Sequence, residues 1–319
     1  MELNLDVPWR DLSHVGEETT ESSSPVTTRD AQIRRGAQHV LKTKRGSAPE
    51  CSKLLHSNPG LGTQRVSYKH ARSHYSTLHF DGPLRETMSV FYRYSGRSRH
   101  STNIEECARS VVQALRGLPP AQASVTTFTV LLNSPDNASF SDAVSDLLNV
   151  SDIHTSVKNV PGGNEASYAA MMKLIVGTVR DPNTIVFLLE EDYFVQPTIF
   201  LRTAEFFKAY NPCMMVPYDY PDRYLLESMP KQETYNTNII LVSPGMHWRT
   251  VTGSTVTFVM RMRTLLHPSV YSKLPNPSND YDNSIYLSRK IGMFAPIPSL
   301  SSHVHAENPG LLPFQTSSA

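Results

Sequence analysis

Hydrophobic and polar positions follow no clear period from Met1 to about Leu78, and from about Leu84 onward they fall into short recurring blocks. Met88 to Tyr94, MSVFYRY, is rich in strand-forming residues and ends at a Gly/Ser/Arg turn, which predicts a first strand. Ile104 to Leu115 sets apolar residues at helical spacing behind Ser/Thr/Asn capping candidates and stops at Gly117, ahead of Pro119 and Pro120. A second strand, Val125 to Leu132, a short amphipathic helix, Phe140 to Leu148, and a strand-like piece, Asp152 to Val157, follow. Strand and helix alternating in this order predict an α/β domain with a wound, mostly parallel sheet flanked by helices.

The next blocks extend the pattern. The turn PGGN opens a helix over EASYAAMMKLIVGTV, residues 165–179, whose apolar side chains share one face. The apolar run Ile185 to Leu189 predicts a buried strand, and TIFLRTAEFFKAY, with Pro197 at its first helical position, predicts another amphipathic helix. Thr237 to Val242 and His247 to Met260 read as two strands, the second continued on the solvent side by Arg261 and Arg263. A Pro/Asn loop, LPNPSNDYDNS, then leads into the helical IYLSRKIG, and the closing PIPSLSSHVHAE is extended.

Composition changes this picture at the amino end. Residues 1–78 are rich in Ser, Thr, Lys, Arg and His and include the basic run Arg34 to Arg45, so they read as a disordered or loosely packed extension ahead of a domain over 79–319. The basic run could touch phosphates, but no aromatic residue interleaves it as a stacking platform requires, and a solvated linker explains it as well. A net charge of +1 argues against a chain coated with basic residues for nucleic acid. Cys51, Cys107 and Cys213 are dispersed, without metal-site spacing, and suggest a reducing compartment. No apolar stretch is long enough to span a bilayer, and the amino terminus is too polar for a secretory signal. A soluble intracellular protein, cytoplasmic or nuclear, is the expectation. The glycosylation sequons at Asn137 and Asn149 are then chance matches.

Candidate chemistry begins where the apolar run Ile185 to Leu189 meets Glu190, Glu191 and Asp192. Ligands of open α/β sheets bind at the carboxyl ends of strands. Three adjacent acids repel one another there unless a cation joins them, and hard oxygen donors suit Mg2+ or Mn2+ carrying a diphosphate. A solvated strand end explains the same letters. Asn164 and the glycines before it suit an anion at a helix amino end, or merely open the helix. Tyr218 and Tyr220, between Asp219 and Asp222, could stack on a base or sugar, or simply stiffen a Pro/Tyr loop. Trp248, Arg249, Ser254 and Thr255 offer donors and a flat apolar surface. His303, His305 and Glu307 share one face of an extended segment, as metal ligands or with His303 as a core residue, and Asp280 and Asp282 stand at the mouth of the last helix, where caps are common.

Taken together, IVFLLEEDY, YDYPDRY, HWRTVTGSTVTF and PIPSLSSHVH resemble, in order and spacing, the LEDDY-like, YDHPD-like, WRT–ST–TF and THxE-like motifs of a group of GT-A glycosyltransferases, over Met88 to Phe314. The resemblance implies a Rossmann-like GT-A fold and a nucleotide-sugar-dependent transferase using Mn2+ or Mg2+. It implies Glu190, Asp192 and His303 as metal ligands, with Glu191 standing where the family's middle Asp is usual. Donor contacts then fall to Glu191, Asn164, Tyr218, Trp248, Arg249, Ser254 and Thr255, and the base of an inverting transfer to Asp282 or Asp280. Tyr220 stands where the family's loop commonly has His. The expected partners are a nucleotide-sugar donor and an acceptor that is a glycan, a glycolipid or a hydroxymethylated DNA base, with the basic amino-terminal segment available to nucleic acid and no integral membrane segment. A metal-dependent nucleotidyl or phosphoryl transferase would also place acids after a strand, but the Lys/Gly-rich phosphate loop it needs is not visible. A non-catalytic binding protein is the remaining alternative.

Overall fold

A computed structural model describes residues 82–95, 104–133, 145, 149–150, 152–220, 240–254, 257–274 and 280–304. Residues 1–78, most of the expected helix Phe140 to Leu148, Thr255, His305 and Glu307 lie outside the described residues.

The organising strand is β4 (Ile185–Glu190), in which five successive residues are buried, as a strand covered on both faces requires. Beside it lies β1 (Met88–Tyr94), then β2 (Thr126–Leu132) and β3 (His154–Asn159), all parallel, so the sheet reads β3-β2-β1-β4. The chain steps outward from β1 to β3 and then returns to place β4 on the other side of β1. The winding therefore reverses between β1 and β4, and their carboxyl ends open the crevice such sheets use for ligands. β8 (Phe258–Arg261) closes the β4 side antiparallel.

Alternation along β4 divides the core in two. Ile185, Phe187 and Leu189 face α1 (Ile104–Arg116) and α4 (Ile199–Tyr210), packing with Val111, Leu115, Phe200 and Phe206. Val186 and Leu188 face the other way, among Met171, Met172 and Ile175 of α3 (Asn164–Thr178) and Leu287 and Ile291 of α7 (Asp280–Ile291). A second, antiparallel sheet of β6 (Ile240–Ser243), β7 (Met246–Thr250) and β9 (Phe294–Ile297) is joined to the first through Met215, which bridges Val259 and Phe294. Short helices α2 (Pro120–Ala123), α5 (Met262–Leu265) and α6 (Pro268–Tyr271) turn the chain between these elements.

The wound, mostly parallel sheet is the predicted class, and four readings of local structure need correction. The run His247 to Met260 is two strands in two sheets, because the chain turns at Gly253, whose φ of 78° only glycine adopts readily. Arg261 does not point to solvent: it is buried, bonded to Asn211 Oδ1, the Asn183 and Phe207 carbonyls and Glu86. The last helix begins at Asp280, so Asp280 and Asp282 lie in its first turn rather than on a loop before it. Cys213 is disulfide-bonded and only Cys107, of the described cysteines, is a free thiol, which departs from the reducing compartment that three dispersed cysteines suggest.

Candidate active site

The three acids at the end of β4 take three different partners. Glu190 is ion-paired with Arg93, which the parallel register of β1 and β4 sets directly opposite it. The same guanidinium donates to the Asn164 carbonyl at 2.9 Å, to Asn164 Oδ1 at 2.6 Å and to Ser167 Oγ at 3.2 Å, tying the first turn of α3 to the strand end. Burial raises the pKa of the Glu190 carboxyl, and Arg93 opposes that rise. Glu191 accepts the Ser95 backbone N–H at 2.6 Å and the Ser95 hydroxyl. Asp192 faces His303, with Oδ2 3.1 Å from Nε2. Its other carboxylate oxygen, Oδ1, is buried with no hydrogen-bond partner among the described residues.

His303 reaches Asp192 because β10 (Ser301–His303) pairs antiparallel with β5 (Tyr193–Val195), and Val304 N–H donates to the Asp192 carbonyl at 2.8 Å. The imidazole lies flat on the Tyr193 ring, centroids 4.7 Å apart at 7°. Tyr193 and Tyr220 share a hydrogen bond between hydroxyls at 2.8 Å, and Tyr218 packs on both rings. Behind the acids, on β1, Tyr92 is fully buried, and burial holds its phenol well above the ordinary range.

The other residues singled out in the sequence divide into near and far. Asn164 is at the crevice through Arg93. Tyr218 and Tyr220 line the His303 side. Trp248 is placed in the core, with no exposed face: it stacks on Phe206 at 3.9 Å and donates to Ser243 Oγ at 2.8 Å. Arg249 grips Asp219 through two bonds of 2.8 and 2.6 Å and so braces the Tyr218–Tyr220 loop. Ser254 exchanges hydrogen bonds with Ser284, its N–H donating at 2.7 Å and its carbonyl accepting at 2.8 Å, which pins α7 to the chain entering β8. Asp282, two residues earlier on that helix, is exposed. Thr257, at the start of β8, accepts the Glu190 N–H at 3.3 Å, so this segment reaches the same strand end.

Arg93 and Ser95 were not among the expected site residues. The available signal was the single charged letter in MSVFYRY, since an arginine at the end of a buried strand needs an anionic partner.

The donor set can be tested for a divalent cation. Among the described residues no group of three metal-ligating side chains gathers at one point. Glu190 and Glu191 are turned to Arg93 and Ser95, which leaves Asp192 and His303. Two ligands at right angles on an ion of Mg2+ size, with bonds of about 2.1 Å, stand about 3.0 Å apart, close to the 3.1 Å between Asp192 and His303. A cation that keeps several waters and takes one or two protein ligands plus phosphate oxygens fits such a pair, and the orphaned Asp192 oxygen is the kind of atom it would satisfy.

Fold and site together define a wound α/β domain with a carboxylate–imidazole pair at the reversal of its strand order. No protein-family model matches the chain, and no curated protein matches it. Among solved structures, S. aureus TarS 1-349 overlays 66% of this chain and 57% of its own at 10% identity, with a TM-score of 0.39. The same segment in complex with UDP-GlcNAc overlays 66% and 55%, at 10% identity and a TM-score of 0.36. GalNAc-T7 with UDP, GalNAc and Mn2+ overlays 71% of this chain and 45% of its own, at 11% identity and a TM-score of 0.43. The chain thus spans about half the length of the structures it overlays, and these loose likenesses carry nothing about its site. No helix among the described residues is long and apolar enough to cross a membrane.

Proposed function

We propose that this protein is a metal-dependent glycosyltransferase that moves a sugar from a nucleotide-sugar donor to an acceptor hydroxyl, with inversion. The observation that carries the reading is the Asp192–His303 pair, 3.1 Å apart beside the β1/β4 crevice, with one buried carboxylate oxygen that no described residue satisfies. The four ordered motifs that resemble GT-A glycosyltransferases name the chemistry such a pair would serve.

Asp192 and His303 would hold the Mn2+ or Mg2+, which when bound offsets the charge gathering on the departing diphosphate. Arg93 and Glu191 fix the frame: the first anchors the start of α3 and the second the end of β1. The acceptor hydroxyl must lose a proton as its oxygen attacks the anomeric carbon, and Asp282, exposed in the first turn of α7, is the carboxylate assigned to take it. Tyr220, half-buried beside His303, supplies aromatic surface for a sugar ring, while Tyr218 is buried and packs against it. The acceptor is a glycan or glycolipid, or a hydroxymethylated base in DNA reached with help from the basic run Arg34 to Arg45.

The test is a donor-hydrolysis screen over UDP-, GDP- and CMP-linked sugars with Mn2+, comparing the intact protein with Asp192→Ala. One donor class should be hydrolysed, and the substitution should cut the rate by about 100-fold or more. Absence of hydrolysis with every donor, or a rate untouched by the substitution, would overturn the proposal.

A further inference from the structure

We propose that Tyr193 is a positioning residue for His303: its ring, laid flat against the imidazole and pinned through the Tyr220 hydroxyl, sets the rotation that aims Nε2 at Asp192. The inference rests on reading Asp192 and His303 as the pair that holds the cation.

The geometry begins with strand register. Tyr193 and His303 are direct partners in the β5–β10 ladder, so their side chains leave the same face of a two-stranded ribbon, with Cβ atoms about 5 Å apart. Register brings the rings together but does not orient them. The χ2 torsion of histidine is broad, with no steep intrinsic minimum, so an imidazole on a short strand can turn its nitrogens through a wide arc. A flat neighbour removes that freedom, because rotation out of parallel drives the ring edge into the slab. Here the two rings are 7° from parallel at 4.7 Å.

The slab is itself held. Tyr193 is 1% exposed, its hydroxyl is 2.8 Å from that of Tyr220, and Tyr218 meets it edge-on at 6.5 Å. Tyr220 in turn meets His303 edge-on, at 84° and 6.3 Å, so the imidazole is bounded on a second side by the residue that pins the first. Partners that orient a metal-ligating histidine change affinity by about 10- to 100-fold when removed. Tyr193 thereby follows the acidic motif directly, as the first residue of β5, and acts through His303 without touching the cation.

The experiment compares Tyr193→Met, which fills the volume with a flexible chain and no flat face, with Tyr193→Phe, which keeps the face and loses the hydroxyl. Free Mn2+ is measured by electron paramagnetic resonance in the presence of UDP. Pulsed measurements on the bound ion read the coupling to an imidazole nitrogen, and thermal melts confirm that each variant is folded at the assay temperature. Tyr193→Met should weaken Mn2+ binding by about 10- to 100-fold and reduce the nitrogen coupling, whereas Tyr193→Phe, which keeps the flat face and loses only the pin to Tyr220, should weaken binding by no more than about 3-fold with a smaller loss of coupling. Wild-type affinity and coupling in Tyr193→Met would overturn the inference while leaving the cation pair standing. Mn2+ binding unaffected by His303→Ala would instead remove the pair, and the inference with it. Should Tyr193→Met fail to fold, Tyr220→Phe provides the second reading. Freeing the slab should weaken the nitrogen coupling with the imidazole still bound, and an unchanged coupling there counts against the pinning.

Discussion

Glu190, Glu191 and Asp192 are consecutive letters with consecutive charges, yet each meets a different chemical group. Glu190 closes β4, whereas Glu191 and Asp192 lie in the turn that leads to β5, so the three side chains leave the backbone in different directions. The sequence shows the charge and hides the partners: Arg93 lies 97 positions from Glu190, and His303 lies 111 from Asp192. The Arg93–Glu190 pair is nearly sealed from solvent, at 10% and 16% side-chain exposure, and such pairs are far costlier to halve than to replace. Arg93→Met should therefore destabilise the protein by about 3 kcal/mol or more, since it leaves a buried carboxylate and two Asn164 acceptors without their donor. Arg93→Met combined with Glu190→Leu should recover most of that loss. Urea denaturation of the single and double variants measures both, and equal costs for single and double would show that the pair is not the source.

Elements that bury both faces, or one full helical stripe, were visible in the letters: β1, β2, β4, α1, α3 and α4 all fall within a residue or two of their expected spans. Elements that depend on a distant partner were not. β5 and β10 have three residues each, too few to show a period, and exist because they pair with one another. The break between β7 and β8 was masked by continuous Thr/Val alternation, although Gly253 in its middle marked it. α1 covers β5: Val195 N–H donates to Ser110 Oγ at 3.0 Å, and Cys107, one turn earlier, is wholly buried. Burial, reinforced by the nearby Asp192 carboxylate, pushes the Cys107 thiol up to about 12 from an ordinary value of 9.0. A folded value above the unfolded one contributes stability that is complete below about pH 9 and is lost as pH climbs toward 12. Stability should accordingly fall across that alkaline window, and Cys107→Ala should flatten the fall. At pH 8.5 the native thiol should resist iodoacetamide, as peptide mass spectrometry reads it, and react once α1 is opened by denaturant. Rapid labelling of the native protein would mean that α1 does not seal β5.

At the scale of the molecule, the crevice is assembled from β1, β4, the β5–β10 ribbon and the first turn of α3, with α7 attached through Ser254 and Ser284. A site of this kind is legible in sequence only as an order of fragments, each weak alone, because every contact that completes it spans a long stretch of chain. What such a site cannot carry is the choice of acceptor, and there the basic run Arg34 to Arg45, with five Lys and Arg residues, separates the two classes proposed. If the acceptor is a modified base in DNA, cations in that run replace counterions on the phosphates, and each contact adds about 0.9 to the slope of log affinity against log salt. Deleting residues 1–78 should then weaken binding to duplex DNA and lower that slope, the run itself accounting for up to about 4.5, with donor hydrolysis unchanged because Asp192 and His303 remain. Fluorescence anisotropy at a series of salt concentrations measures the slope for both forms. A full-length chain that does not bind DNA, or a slope that survives the deletion, removes the DNA acceptor and leaves the glycan or glycolipid hydroxyl.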